Sequence, residues 1–212
     1  MSGKRALVLG VVLTAIVAVM FINNSFVSAK NTKNVSVQQT QTVKNNQKTS
    51  DDVLSEIDKY QAKYFEIIKR NDLFLQDEET LAIKNDRKEL KKLFKEVKKQ
   101  VKSKGNLKKY NEIEKRYAKC EEETTVGMNE FANNNYKEVD ALLNEVYKEV
   151  KTKISPADFK KLTASEQRWL KEVNSYKKVF DSKGFGTIGT IIYYDYEINM
   201  RNFRTLLLML YL

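Results

Sequence analysis

Asp140 and Asn144 are the polar residues of this chain whose setting asks most for an explanation. In "YKEVDALLNEVYKEV", residues 136 to 150, Tyr136, Val139, Leu143, Val146 and Val150 recur at three- and four-residue steps and draw one apolar stripe along a helix. Asp140 and Asn144 lie on the edge of that stripe and share a face with Tyr136 and Tyr147. An unpaired buried carboxylate is costly, so Asp140 must either border solvent or meet a donor from another helix.

Other chemistry is narrowed by what the chain lacks. It contains no histidine and one cysteine, Cys120. Zinc-type sites and the usual acid/base and nucleophile-activating arrangements therefore have no residues to build them. Carboxylate pairs are plentiful, but none stands in a catalytic setting. The expectation is a protein that is not an enzyme and needs neither cofactor nor metal. Cys120 reads as a half-buried small hydrophobe, and a fold with a single thiol must rest on packing alone.

Positive charge is the second chemical resource, and it is unevenly placed. Between Lys30 and Lys119 there are 23 Lys and Arg against 14 Asp and Glu, whereas Cys120 to Leu212 has 13 against 14. Arg87 to Lys109 alone holds 11 basic and two acidic residues. On a helix this makes an apolar stripe flanked by lysines, with Lys91, Lys92, Lys95, Lys98, Lys99 and Lys102 as candidates for contact with an anionic wall polymer or membrane surface. The one aromatic of this run, Phe94, belongs to the apolar stripe rather than to the lysine faces, so nucleic acid is not expected as a partner.

Seven glycines and one proline in 212 residues favour long helices. The fold class expected is all-α, a bundle of about five helices: an N-terminal helical hairpin or coiled coil over 51–119, then a three-helix C-terminal domain over 120–212. The first helix is predicted from Asp52 to Arg70 after Ser50 or Asp51 as cap, and the second from Thr80 to Lys102, ended by Gly105. The pattern resumes at Leu107 and runs to Lys153, with a break possible at Gly127 and the following Asn run. Ser155, Pro156 and Asp158 start the next helix, whose apolar face is Phe159, Leu162, Trp169, Val173, Tyr176 and Phe180. "DSKGFGTIGT" is the conspicuous loop, and the last helix, from about Ile188, ends in "LLLMLYL", an all-round apolar run that must be covered.

At the N-terminus, Lys4 and Arg5, the run "ALVLGVVLTAIVAVMFI" and Val27-Ser28-Ala29 form the layout of a secretory signal over 1–29, or of an uncleaved signal anchor. Residues 30–50 are polar and aperiodic and read as a flexible tether. Either alternative places the remaining chain in a secreted or extracytoplasmic location.

The stretch from about Glu122 to Leu212 resembles the LprI-type lysozyme-inhibitor family. The resemblance rests on Met128-Asn129, Tyr136, the run Asp140-x-x-Leu143-Asn144-x-x-Tyr147, then Gln167, Trp169 and Leu170, Gly186 in a glycine-rich turn, and Arg204-Thr205 with Leu208. It implies a helical domain of the bacterial cell envelope, with lysozyme inhibition as the activity known for a member. It also implies disulfide cysteines where this chain has Phe131, Lys177 and Tyr196, and an Arg-Asp pair where it has Val173-Asn174. On the family pattern Arg204 is the expected donor to Asp140, with Asn144 and Gln167 completing a structural polar network.

Two partner classes follow. Binding of a lysozyme-type glycosidase, whose cleft holds two carboxylates, calls for a protruding loop with a cation, and Lys183, Gly184, Phe185, Gly186 and Thr187 are the candidates. The alternative is a cell-envelope scaffold that uses the lysine-rich hairpin on an anionic surface and meets another envelope protein through its C-terminal part.

Overall fold

The computed structural model describes residues 48–74, 80–183 and 186–212, the side chains of 179–183 and 187 excepted. The expected export signal and nearly all of the tether lie outside the described residues. Among the described residues six α-helices and a terminal 3-10 turn follow one another: α1 (Ser50–Arg70), α2 (Leu81–Gln100), α3 (Lys104–Tyr117), α4 (Thr125–Lys153), α5 (Pro156–Lys183), α6 (Gly186–Leu208) and η1 (Met209–Tyr211). No strand occurs among the described residues.

Helix starts are set by short polar side chains. The cap of α1 is Thr49, not Ser50 or Asp51 as expected, and it exchanges hydrogen bonds with Asp52 in a capping box. Ser155 begins α5 as expected: its Oγ accepts from the Asp158 amide at 3.1 Å and donates to the Asp158 carboxylate at 2.8 Å. Thr124 caps α4 by accepting from the Gly127 amide at 3.0 Å.

Two glycines expected to interrupt helices stand in their first turns instead. Gly105 does not end α2, which stops at Gln100; it is the second residue of α3. Gly127 is the third residue of α4, which then runs unbroken through the Asn residues. Glycine keeps its N–H and does not break the hydrogen-bond ladder; its cost is the entropy of fixing a freer backbone, about 1 kcal/mol even in a helix interior, which is too little to stop a helix. The break falls at 118–124, and it divides the run from Leu107 to Lys153, giving six helices where about five were expected.

The glycine-rich loop also contracts. α5 extends to Lys183 and α6 begins at Gly186, whose φ of 60° is the left-handed turn conformation that glycine adopts without strain. Gly189 lies within α6.

α6 is the axis of the molecule, in contact with α1, α2, α4 and α5, and most extensively with α4. From Asp195 to Met209 every residue is buried, which is why the end of the chain is apolar on all sides. Phe203 stacks on Tyr64 of α1 with ring centroids 4.5 Å apart and meets Phe94 of α2 at 4.9 Å. The hairpin thus shares a hydrophobic core with the C-terminal helices. Tyr117 of α3 donates to Asp195 of α6 at 2.7 Å, and Tyr176 of α5 donates to the Ile68 carbonyl of α1 at 3.2 Å.

Candidate functional site

A helix buried on all sides must satisfy its own polar residues inside the protein. α6 carries Asp195, Glu197, Asn199, Arg201, Asn202, Arg204 and Thr205, all buried. Two of them are cations, and each organises a cluster.

Arg201 answers Asp140. Its Nε donates to Asp140 Oδ1 at 2.8 Å, and its Nη1 donates to Glu197 one turn earlier on α6. Asn144 donates to the other Asp140 oxygen at 3.0 Å and to the Asp140 carbonyl at 2.8 Å. Tyr193 donates to Glu197, and the Arg201 guanidinium lies 4.6 Å from the centre of the Tyr136 ring. The cluster joins α4 to α6.

The expected pairing of Arg204 with Asp140 is therefore wrong by three residues. Arg204 is fully buried and faces α5: its Nε and Nη2 contact Glu166 Oε1 at 2.8 and 2.6 Å, and Nη2 donates to Ser165 Oγ at 3.0 Å. Ser165 in turn donates to Asp58 of α1 at 2.6 Å, and Arg168 donates to the second Asp58 oxygen at 2.8 Å. Gln167 is exposed and takes no part, so the expected Asn144–Gln167 contact is absent. Its neighbour Glu166 is the α5 carboxylate that enters the network, paired with Arg204 rather than with Asn144. Three residues along a helix are about 300° of rotation, so Arg201 and Arg204 stand on adjacent faces and meet different partner helices.

The six hairpin lysines divide. Lys98 is committed, 2.6 Å from Glu114 of α3 and 4.8 Å from the centre of the Tyr110 ring. Lys91 is half-buried, and desolvation, aided by the charge of Arg87, lowers its pKa. Lys92, Lys95, Lys99 and Lys102 are exposed. Of these, Lys92, Lys95 and Lys99 share one face of α2 with exposed Lys88, a residue the sequence reading left out of the patch.

The loop candidates are placed less fully. Lys183 is the last residue of α5, Gly186 and Thr187 open α6, and Gly184 and Phe185 lie outside the described residues.

The positions where the resemblance implies cysteines carry other contacts. Phe131 stacks on Tyr117 with planes 9° apart, Tyr196 stacks on Tyr176 with planes 17° apart, and Lys177 lies over the Tyr193 ring at 5.6 Å. Val173 is buried, and its carbonyl accepts from Tyr196 at 3.3 Å.

The arrangement is thus an all-helical bundle whose central helix is held by two arginine clusters. Residues 116–208, the C-terminal part of the chain, match the family described as Lysozyme inhibitor LprI. The match begins in the last turn of α3 and closes at the end of α6, so it contains both arginines and their acidic partners on α4, α5 and α6, while α1 and α2 lie outside it. No curated protein and no solved structure matches the chain.

Proposed function

We propose that this is an exported protein of the bacterial cell envelope that binds a lysozyme-type glycosidase through its C-terminal helices. The observation that carries the reading is the lysozyme-inhibitor family match over 116–208. The signal-like N-terminal segment supports export. No helix among the described residues is long and apolar enough to cross a membrane.

The contact we favour is the end of the bundle where α5 turns into α6. Lys183 is the last residue of α5 and Gly186, with its positive φ, the first of α6, so the sequence sets a cationic residue at the tip where the two helices join. A glycosidase cleft with paired carboxylates is a fitting receptor for such a tip. The test is lysis of bacterial cell walls by lysozyme with and without the purified chain from Lys30 onward. Stoichiometric inhibition that Lys183→Glu weakens, with an unchanged melting temperature, is the expected result; absence of inhibition overturns the reading.

A second reading has its own observation. Lys88, Lys92, Lys95 and Lys99 form an exposed stripe on α2 with no ion-pair partner among the described residues, suited to an anionic wall polymer or lipid surface. Sedimentation with anionic vesicles or wall polymer, lost on replacing the four lysines by Gln and weakened by salt, would favour this scaffold role.

A further inference from the structure

α2 keeps its carboxylates on one side and its free cations on another. Glu89 meets Arg70 of α1 at 3.2 Å and Lys63 at 3.6 Å, Glu96 accepts from Tyr60 of α1 at 2.8 Å, and buried Asp86 is 3.0 Å from Arg70. The acids of α2 are thus engaged by α1. Lys88, Lys92, Lys95 and Lys99, at steps of four, three and four residues, hold the outward face with no ion-pair partner among the described residues.

α3 repeats the arrangement. Its Asn106, Tyr110, Ile113 and Tyr117 are buried. On the opposite face, exposed Lys104, Lys108 and Lys115 line an open groove of about 380 Å³ with Leu107, Asn111 and Glu112. Lys104 and Lys115 have no acidic partner among the described residues, and Lys108 is 4.0 Å from exposed Glu112, a contact of little strength in water. Lys98 on the flank of α2 reaches Glu114 on the flank of α3 at 2.6 Å, so the two outer lysine rows run on either side of that bridge. Only residues 101–103 separate the helices that carry them.

The chemistry of the rows selects the partner. Every one of these outward cations is lysine. Arginine matches a planar carboxylate through two parallel hydrogen bonds, whereas an ammonium meets phosphate oxygens as a point charge. Steps of three and four helical residues set successive lysines about 4.5 to 6 Å apart along α2, a spacing suited to charges that recur along a chain. A bilayer surface fits less well on two counts. The large apolar residues of α2 pack into the core, exposed Leu81 at its first position excepted, so the helix has no apolar face to insert. A flat plane of headgroups also cannot enter the α3 groove, whereas a single chain can lie in it with Leu107 and the lysine stems beneath its carbon links.

We propose that the outer faces of α2 and α3 form one track for a linear phosphodiester polymer, a polyol-phosphate chain, with the α3 groove as the second half of that track. The proposal rests on the scaffold reading above and sharpens it: the partner is a polymer rather than a lipid surface, and α3, which that reading leaves out, takes part.

The experiment is calorimetry on the chain from Lys30 onward with poly(glycerol phosphate), glycerol 3-phosphate, polyglutamate of matched charge, and vesicles of phosphatidylglycerol in phosphatidylcholine. The polymer should bind at low salt and lose at least about tenfold in affinity between roughly 50 and 200 mM salt, while the single phosphate shows no measurable binding. Polyglutamate and the vesicles should bind at least about tenfold more weakly than the polymer. Replacing Lys104, Lys108 and Lys115 by Gln should weaken polymer binding about tenfold or more, as should replacing the four lysines of α2. Replacing Lys137, Lys148, Lys160 and Lys171 by Gln removes as many exposed lysines from α4 and α5 and should change affinity less than about twofold. All of these side chains are exposed, so the melting temperature should hold in each variant. Vesicles bound as tightly as the polymer overturn the track but leave the scaffold reading standing, and no binding to any probe removes both. Polyglutamate bound as tightly overturns the phosphate assignment. An equal loss from the α4 and α5 set, or none from the α3 set, reduces the contact to net charge and overturns the proposal.

Discussion

Arg201 and Arg204 stand three residues apart on one buried helix, yet their surroundings differ in kind. Around Arg201 the buried Glu197 carboxylate and the half-exposed Asp140 carboxylate are both paired among the described residues, and exposed Asn144 closes the cluster at the surface. Around Arg204 the ion pair with Glu166 is made, but one guanidinium nitrogen, the Trp169 indole and the Gln61 amide are left over beside a cavity. A saturated network specifies packing and leaves nothing to offer a ligand. An unsaturated one keeps buried polar groups whose loss of water is not made good by a partner, which costs stability. The contrast makes the Arg201 cluster the more completely paired anchor of α6.

The comparison breaks most visibly at Arg201. Arg201→Ala would leave Glu197, 3% exposed, as a buried carboxylate supported only by Tyr193. Its unfolding free energy should fall by about 3–5 kcal/mol in urea titrations, because removing one partner strands the other charge. A loss below about 1 kcal/mol would contradict the fold-specifying role.

Asp195 tests saturation without a cation in direct contact. Burial pushes its carboxyl up from 3.8 to about 6, against the lowering by the Tyr117 hydrogen bond, the Arg87 charge and the Asn199 hydrogen bond. A carboxyl that holds its proton more tightly in the folded state favours the fold at acid pH, and that contribution is lost as pH rises from about 4 through about 6. The full change is at most about 3 kcal/mol. Asp195→Asn retains an acceptor for Tyr117 and should raise the melting temperature at pH 8 while leaving it nearly unchanged at pH 4.

Arg204→Ala should cost less than Arg201→Ala, about 2 kcal/mol, because Glu166 is closer to solvent than Glu197 and can be hydrated when abandoned. Gln61→Leu should go the other way. Removing an unpaired amide is neutral or stabilising by up to about 1 kcal/mol, and a clear loss of stability would place Gln61 with the structural residues. Arg116→Ala supplies the baseline. Its pair with Glu138 is exposed on both sides, and urea titration should register no more than about 0.5 kcal/mol.

Much of this was legible in the chain itself, and the misses have physical reasons. Ser155-Pro156-Asp158 placed the start of α5 correctly because a cap acts within four residues and needs no tertiary partner. The question posed by Asp140 was also well founded, since an acid on the edge of an apolar stripe did require a cation. Which cation was not legible. Arg201 and Arg204 both fall on buried faces of a helix with no exposed side, and only the arrangement of α4 and α5 around α6 distinguishes them. Gly105 and Gly127 misled because a glycine reads as a stop in sequence but costs little at a helix start. The Arg204 cavity gave no sequence signal at all: Gln61 lies more than a hundred residues from its partners and sits in an ordinary helical pattern.

The stacked rings at Phe131 and Tyr196 carry a consequence for how the protein is made. Where the resemblance led one to expect thiols, the chain has aromatic contacts that form on collapse and require no oxidant. Its maturation should therefore proceed without oxidoreductases or thiol shuffling, steps that take seconds to hours in cysteine-stapled proteins. The same native bundle should be reached whether the surroundings are oxidising or reducing.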